Sequence, residues 1–383
     1  MKSTADAVIV GGGCMGASVA FHLAKRGMTN VVLVEREAVL GAGSTGRNAG
    51  GVRHQFSNQA NIRLSIESIR TLERFRDEVG HEIDFHQDGY LFLLSTPGSV
   101  DAFRRNVAVQ RACGVTVDWL DAHDAERLAP GLDAAGVLGA TFCQRDGIAD
   151  PNGVTMGFAR TAQALGVEIA RETEVTGIDV VSGRIAAVRT TRGAIATPIV
   201  VNAAGPHARQ VGRLAGADVP VEPYRRHIFI AQHFTRPVPP NRIMVIDFDT
   251  TFYFHREGAG VLFGMGDPKE PPGFDTTVRW DFLPEATHVA MRRLPALEDA
   301  SISHAWAGLY EMSPDANPLI GAAPAVNGLF LINGFSGHGF QHSPAAGRIL
   351  ADLITGRDPG MDLAPFAPGR VASGDEAGER YVV

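Results

Sequence analysis

The sequence predicts an α/β fold in which a doubly wound parallel sheet, assembled from both ends of the chain, is interrupted by a more β-rich block. Three observations lead there. Residues 6–35 read as strand, glycine turn, helix and strand. Residues 216–317 carry short β-rich runs broken by prolines. Residues 328–354 return to strand, glycine turn and helix.

At 383 residues the chain exceeds one hydrophobic core, so two units, or one with an insertion, are expected. Hydrophobic residues make up 45% and charged residues 20%, an ordinary globular balance. The formal net charge is −7 and the cations form no runs, which speaks against nucleic acid or an anionic membrane as partner. Cys14, Cys113 and Cys143 are scattered singly, so neither a disulfide framework nor a metal site is expected. There is no apolar run of about 18 residues, and residues 1–5 do not read as a signal peptide. A cytoplasmic protein is expected.

In chain order, "DAVIV" (6–10) feeds a helix whose Met15, Val19 and Leu23 recur at helical spacing until Gly27. "NVVLVE" is a second buried strand ending in an acid. A helix from Gln59 to Val79, a strand over 89–95 and a helix over 99–113 follow. Residues 142–151 read as a turn-rich connection and 153–166 as a helix. From 167 to 201, short strands are divided by turns at Ser182–Gly183 and Arg192–Gly193. The last helix is expected from Pro344 to Ile354, with Ser343 as its N-cap, and the last dozen residues as a frayed tail.

Gly11, Gly13 and Gly16 form G-x-G-x-x-G between strand and helix. Gly11 permits the tight turn, Gly13 lets backbone approach a pyrophosphate, and Gly16 lets helix pack on strand. Glu35 ends the second strand, where an acid would hold a ribose hydroxyl pair. That is a Rossmann-like dinucleotide site, with NAD and FAD both open.

"GAGSTGRNAGGVRHQF" (41–56) separates them. Ser44, Thr45, Arg47 and Asn48 offer donors near the same pyrophosphate, and Ala49, Gly50 and Gly51 give a shelf almost without side chains. FAD needs such a shelf for its flat ring, whereas NAD has little use for a second glycine segment. The helix N-terminus after "NGFSGHG" would stabilise negative charge on a reduced flavin.

The fingerprint, "GSTGRNAGGVR" (43–53), "VVNAAGPHA" (200–208), "WAGLYEMSPDANPLIG" (306–321) and "GFSGHGFQHSPAAGR" (334–348) resemble the FAD-dependent D-amino-acid oxidase superfamily. They are most similar to its branch of glycine oxidase, sarcosine oxidase, dimethylglycine dehydrogenase and proline dehydrogenase β-subunit. The resemblance implies a flavin domain of glutathione-reductase type, and an α+β substrate domain whose antiparallel sheet roofs the flavin. The first is expected over 1–85, 140–215 and 318–383, the second over 86–139 and 216–317. It implies hydride transfer from an amine C–H to flavin N5, giving an imine that hydrolyses. The cofactor set extends to Cys14, Met15, Arg36, Val175, Ala204, Gly205, Gly308, Gly337, His338, Gly339, Phe340 and Gln341.

Departures from the family refine this. Gly308 stands where monomeric sarcosine oxidases carry their flavin-linking cysteine, so non-covalent FAD is expected, with His54 as the first alternative anchor. Leu262 stands near the place of their oxygen-activating lysine, which leaves the electron acceptor open; an oxidase is preferred to a dehydrogenase. Tyr310 replaces the carboxylate-binding arginine of glycine oxidases, and Gln341 the lysine of sarcosine oxidases, whereas Arg53 is retained. Arg53 is therefore the expected carboxylate ligand. Tyr253 and His338 complete the catalytic set, with His227 and His255 on the same presumed sheet and Arg225 and Arg226 solvated or paired. No dedicated general base is expected, because no flavin-facing motif carries a carboxylate. Apolar contacts are expected from Phe229, Phe252, Phe254 and Met265. The expected substrate is an amino acid or secondary amine with a carboxylate, an N-carboxymethyl amino acid favoured. The alternative is a non-catalytic or dehydrogenase flavoprotein subunit of a larger complex; as to partners, a homo-oligomer and a partner subunit both stay open.

Overall fold

The computed structural model describes residues 1–373, 378 and 379. A six-stranded sheet has the order 319–322, 329–333, 200–202, 7–10, 31–34, 168–170. All neighbours are parallel except Leu319–Ala322, which runs antiparallel to Leu329–Asn333. The Ala7–Val10 strand is buried on both faces. Ala7 and Ile9 meet the helices Cys14–Lys25, Pro151–Ala164 and Gly339–Ile354, while Val8 and Val10 meet the three-stranded meander over 175–196. A strand enclosed on both faces has to be a continuous apolar run, as "AVIV" is.

The second sheet has eight strands, in the order 301–312, 222–232, 260–265, 252–257, 244–247, 90–94, 139–143, 118–120. It is antiparallel at every joint but one: Met244–Asp247 runs parallel to Tyr90–Leu94. One face packs Phe229, Phe252, Phe254 and Met265 beneath the Leu283–Arg293 helix.

Several elements differ from the sequence reading. The expected division at residue 140 falls inside the Gly139–Cys143 strand, which pairs with Tyr90–Leu94, and Gly147–Ala149 forms another strand of the supposed turn region. The helix expected over 59–79 breaks at Arg74 into Gln59–Glu73 and Phe75–Val79. The last helix starts at Gly339, five residues before the expected Pro344. Proline cannot donate to the Phe340 carbonyl one turn back, and the Ser343 hydroxyl donates there instead at 2.8 Å. Ser343 repairs the helix rather than capping it. Much of the expected tail lies outside the described residues, but Glu379 is docked, accepting from Ser57, Asn58 and Asn61.

Candidate active site

A cavity of about 870 Å³ runs from the ends of the parallel strands to the underside of the eight-stranded sheet. Its first stretch is backbone. Gly11 has φ +113, and a β-carbon there would lie 2.4 Å from the Ala203 carbonyl oxygen, so only glycine fits the turn. Gly13 sits at the start of the Cys14–Lys25 helix with no side-chain cap, and Cys14 and Met15 follow it on the cavity wall. Glu35 is fixed there by the amides of Gly12 (2.7 Å) and Glu37 (2.9 Å). Arg36 reaches His207 at 3.1 Å, and Val175, Ala204 and Gly205 close this end.

Two expected cofactor residues do not line the cavity. Gly16 packs against the fingerprint itself, its missing side chain making room for the Gly11 carbonyl. Gly50, at φ +74, does the same for the Ala149 carbonyl. Gly51 leaves room for the Tyr90 hydroxyl, so the shelf beside Ala49 is partly covered by a tyrosine.

Residues 44–48 border the cavity, but their side chains hold protein. Ser44 donates to the Leu309 carbonyl (2.6 Å) and Arg47 to that of Ala307 (2.8 Å). The Thr45 hydroxyl accepts from the Cys14 amide (3.1 Å), and the Asn48 carbonyl oxygen accepts from Gly50 N–H (2.6 Å). Ser44 and Arg47 thus brace the loop against the eight-stranded sheet, Thr45 ties it to the first helix and Asn48 holds the loop itself, whereas the sequence suggested donors for a pyrophosphate. Gly308 faces Arg47, whose β-carbon would be 3.0 Å from an added side-chain atom.

The far end is a chamber of side chains. Arg53 is buried, its guanidinium 4.0 Å from the Phe56 ring centre and donating to the Gln55 carbonyl, with burial lowering its pKa. Its backbone amide donates to the Gln341 carbonyl oxygen at 2.6 Å. Gly337, at φ +97, lets Tyr310 lie against the backbone, where a β-carbon would be 2.4 Å from the ring. Gly339 and Phe340 continue the wall at the head of the last helix. Burial pushes the phenols of Tyr90, Tyr253 and Tyr310 up and His338 down to about 3, so all four are neutral donors or acceptors at neutral pH.

Four buried polar atoms on the cavity residues have no partner among the described residues: Arg226 Nε, His338 Nε2, Gln341 Nε2 and Glu311 Oε2. Buried polar groups are normally satisfied, so four orphaned ones on the residues of one cavity support a ligand site there. With the two uncapped helix starts at Cys14 and Gly339, the donors suit an anionic dinucleotide with a polar ring system.

The structure corrects several site readings. Phe229, Phe252, Phe254 and Met265 belong to the core on the other face of the sheet, and the apolar side chains that this sheet brings to the cavity include Ile228, Met244, Ile246 and Leu309. Arg225 is ion-paired with Glu270 (2.8 Å) and Asp275 (2.7 Å), but Arg226 turns to the cavity and stacks on Tyr310 at 5.0 Å. The chamber therefore carries a second cation that the sequence reading paired or solvated. Glu311 is a carboxyl in a cofactor motif, contrary to the premise that none was present. It borders Gly205 and is pushed up to about 7 by burial. His227 and His255 do not line the cavity; His227 accepts from the Arg279 amide, and His255 bonds the Arg256 carbonyl. His54 is no flavin anchor, because its Nδ1 is bonded to buried Asp146 at 2.6 Å away from the cavity. With Cys143 these form a buried three-donor cluster. Its aspartate is engaged by His54 and Gln55, and burial keeps its thiol protonated.

A glycine-lined trough opening into a chamber of arginines and tyrosines defines an oxidoreductase with a dinucleotide cofactor and a small substrate. The chain belongs to the FAD dependent oxidoreductase family designated DAO, whose model matches residues 6–353, and it is an FAD-dependent enzyme. It is similar to L-proline dehydrogenase from P. horikoshii, with TM-score 0.90 and 34% identity over 98% of this chain and 100% of that one. It is 33% identical to FAD-dependent oxidoreductase domain-containing protein 1 of Xenopus laevis, over 99% of this chain and 85% of that protein. It is also 31% identical to mitochondrial dimethylglycine dehydrogenase of Rattus norvegicus, over 96% of this chain but only 45% of that protein. Among the described residues no helix is long and apolar enough to cross a membrane.

Proposed function

We propose that this enzyme oxidises the N–CH carbon of an amino acid or secondary amine bearing a carboxylate, with N-substituted glycines favoured. The observation that carries the reading is Arg53, a buried guanidinium on the chamber wall, held by the Gln55 carbonyl and stacked on Phe56. A desolvated arginine is a strong bidentate partner for a carboxylate. The relatives named for proline and dimethylglycine oxidation, both carboxylated amines, support the same class.

Each residue then has a task. Arg53 binds and orients the substrate carboxylate. Gln341, whose carbonyl oxygen holds the Arg53 amide, directs its NH₂ group to the ligand. Tyr253 and Tyr310, neutral through burial, supply hydroxyl groups and exclude water. Neutral His338 adds a further hydrogen-bonding edge. A bound flavin would supply the hydride acceptor, so the protein has to position the substrate C–H bond and bind the amine in its neutral form. Glu311 borders Gly205 in the cofactor motif, so no base is assigned among the chamber residues.

FAD is held without a covalent bond, since Gly308 offers no nucleophile and His54 is committed to Asp146. Acid precipitation should leave the yellow colour in the supernatant; colour in the pellet contradicts this. For the reaction, kcat/KM with a dye acceptor should rise along glycine, sarcosine and longer N-alkylglycines, because added apolar area contributes about 25 cal/mol per Å². Glycine as the best substrate would refute the reading. Three free cysteines, two of them buried, agree with a reducing cytoplasmic setting.

A further inference from the structure

We infer that Arg226 forms a second anion subsite, and that the substrate is a dianion: an amino acid whose N-substituent ends in its own carboxylate. This rests on the amine-oxidation reading above and names its substrate class.

Arg226 lies on the Glu222–Gln232 strand directly opposite Gly308, with Tyr224 opposite Tyr310 on the same pair of strands. Successive residues of a strand face opposite sides. Arg225 therefore points away, where Glu270 and Asp275 neutralise it. Its neighbours behave likewise: Arg279 bonds Asp267, Glu270 and Asp281, and Arg293 bonds Asp247 at 2.6 Å. Arg226 departs from this pattern. Among the described residues it has no acidic partner; its Nη1 donates to the Arg225 carbonyl at 2.9 Å, and its buried Nε has no acceptor. The guanidinium is held against the Tyr310 ring, 5.0 Å from its centre.

The Arg226 guanidinium lines the cavity with no acidic partner among the described residues. A ligand carboxylate there supplies the missing counter-charge and a charge-assisted bond. The Tyr310 phenol feels the positive charge of Arg226 and of Arg53 together, so both cations lie near that ring. A substrate anchored at Arg53 by its glycine carboxylate would extend its N-substituent past Tyr310 toward Arg226. A neutral alkyl chain there leaves the guanidinium without a counter-charge, whereas a terminal carboxylate supplies one.

The test uses an isosteric pair, N-(2-carboxyethyl)glycine and N-(3-methylbutyl)glycine, titrated anaerobically into the holoenzyme while the flavin absorbance is followed. The dianion should bind about tenfold or more tightly than the alkyl compound. Arg226→Gln should erase that preference with FAD content retained, and Arg226→Lys should restore part of it. Equal binding of the pair by the natural enzyme, or a preference that survives Arg226→Gln, overturns the subsite while leaving amine oxidation standing. If neither compound, nor sarcosine or proline, perturbs or reduces the flavin, both readings fall.

Discussion

Along the fingerprint wall of the cavity the protein presents backbone, and side chains are absent or turned inward to brace loops. Across from it, the eight-stranded sheet presents Arg226, Tyr90, Tyr253 and Tyr310, whose backbone is committed to strand pairing, and Arg53 joins them from just past the Gly51–Val52 strand. The first wall can approach a flat or anionic group closely because Gly11 permits a tight turn that any side chain would block. The second can discriminate among small molecules because it combines the cations Arg53 and Arg226 with phenols kept neutral by burial. On the proposed function the first wall serves the cofactor and the second the substrate, and mutations should separate the two.

The largest expected effect is on the substrate wall. Arg53→Ala should weaken binding of carboxylated amines by about 2–5 kcal/mol, since a desolvated partner is removed, while FAD content stays near normal. Loss of FAD instead would assign Arg53 to the cofactor and blur the distinction between the walls. On the opposite wall, Gly11→Val should destabilise the fold by about 1–3 kcal/mol from backbone strain alone and lower the flavin-to-protein ratio. A stable, fully flavinated variant would break the comparison from that side.

Glu311 gives a pH signature. Its pKa is raised from 4.5 to about 7 by burial, so the folded apoprotein keeps a proton that the unfolded chain releases. Its stabilising share is complete below pH 4.5 and is lost as pH rises through about 7. Urea unfolding of apoprotein at pH 5 and pH 8 should show Glu311→Gln lacking about 2 kcal/mol of that loss. His338 works in the opposite direction. Lowered from 6.5 to about 3 by burial, it stabilises the fold above pH 6.5, and its share is lost as pH falls through 3. Identical pH slopes for the natural and Glu311→Gln proteins would mean the carboxyl is not buried in solution.

The smallest effect is at Ser343. Replacing it by alanine leaves the Phe340 carbonyl without the bond that Pro344 cannot make, at a cost of about 1 kcal/mol measurable as a lower Tm. An unchanged Tm would show that water serves as well as the hydroxyl.

The two walls also differ in how well they could be read from sequence. The fingerprint, the Glu35 strand end and the glycine run at 41–51 are local patterns whose spacing carries their geometry, so the cofactor stretch was legible. The strand wall was less so. "YRRHIFI" does not say which arginine faces the cavity, and a shift of one residue exchanges the faces. The same ambiguity placed Phe229, Phe252 and Phe254 in the chamber when their neighbours Ile228 and Tyr253 line it. Tyr90, Met244 and Ile246 were missed because they reach the cavity through a parallel strand pairing of residues about 150 positions apart. The early helix start was hidden because Pro344 is a favoured first-turn residue, and nothing local reveals that the Ser343 hydroxyl compensates for it within the helix.

The most direct test of the account is an anaerobic half-reaction of purified holoenzyme, with the flavin band near about 450 nm followed as a secondary amine is added. N-Alkylglycines should bleach it, and the matching N-alkylamines without the carboxylate should not. Bleaching by the alkylamines at equal rate, or none by any carboxylated amine, would contradict it.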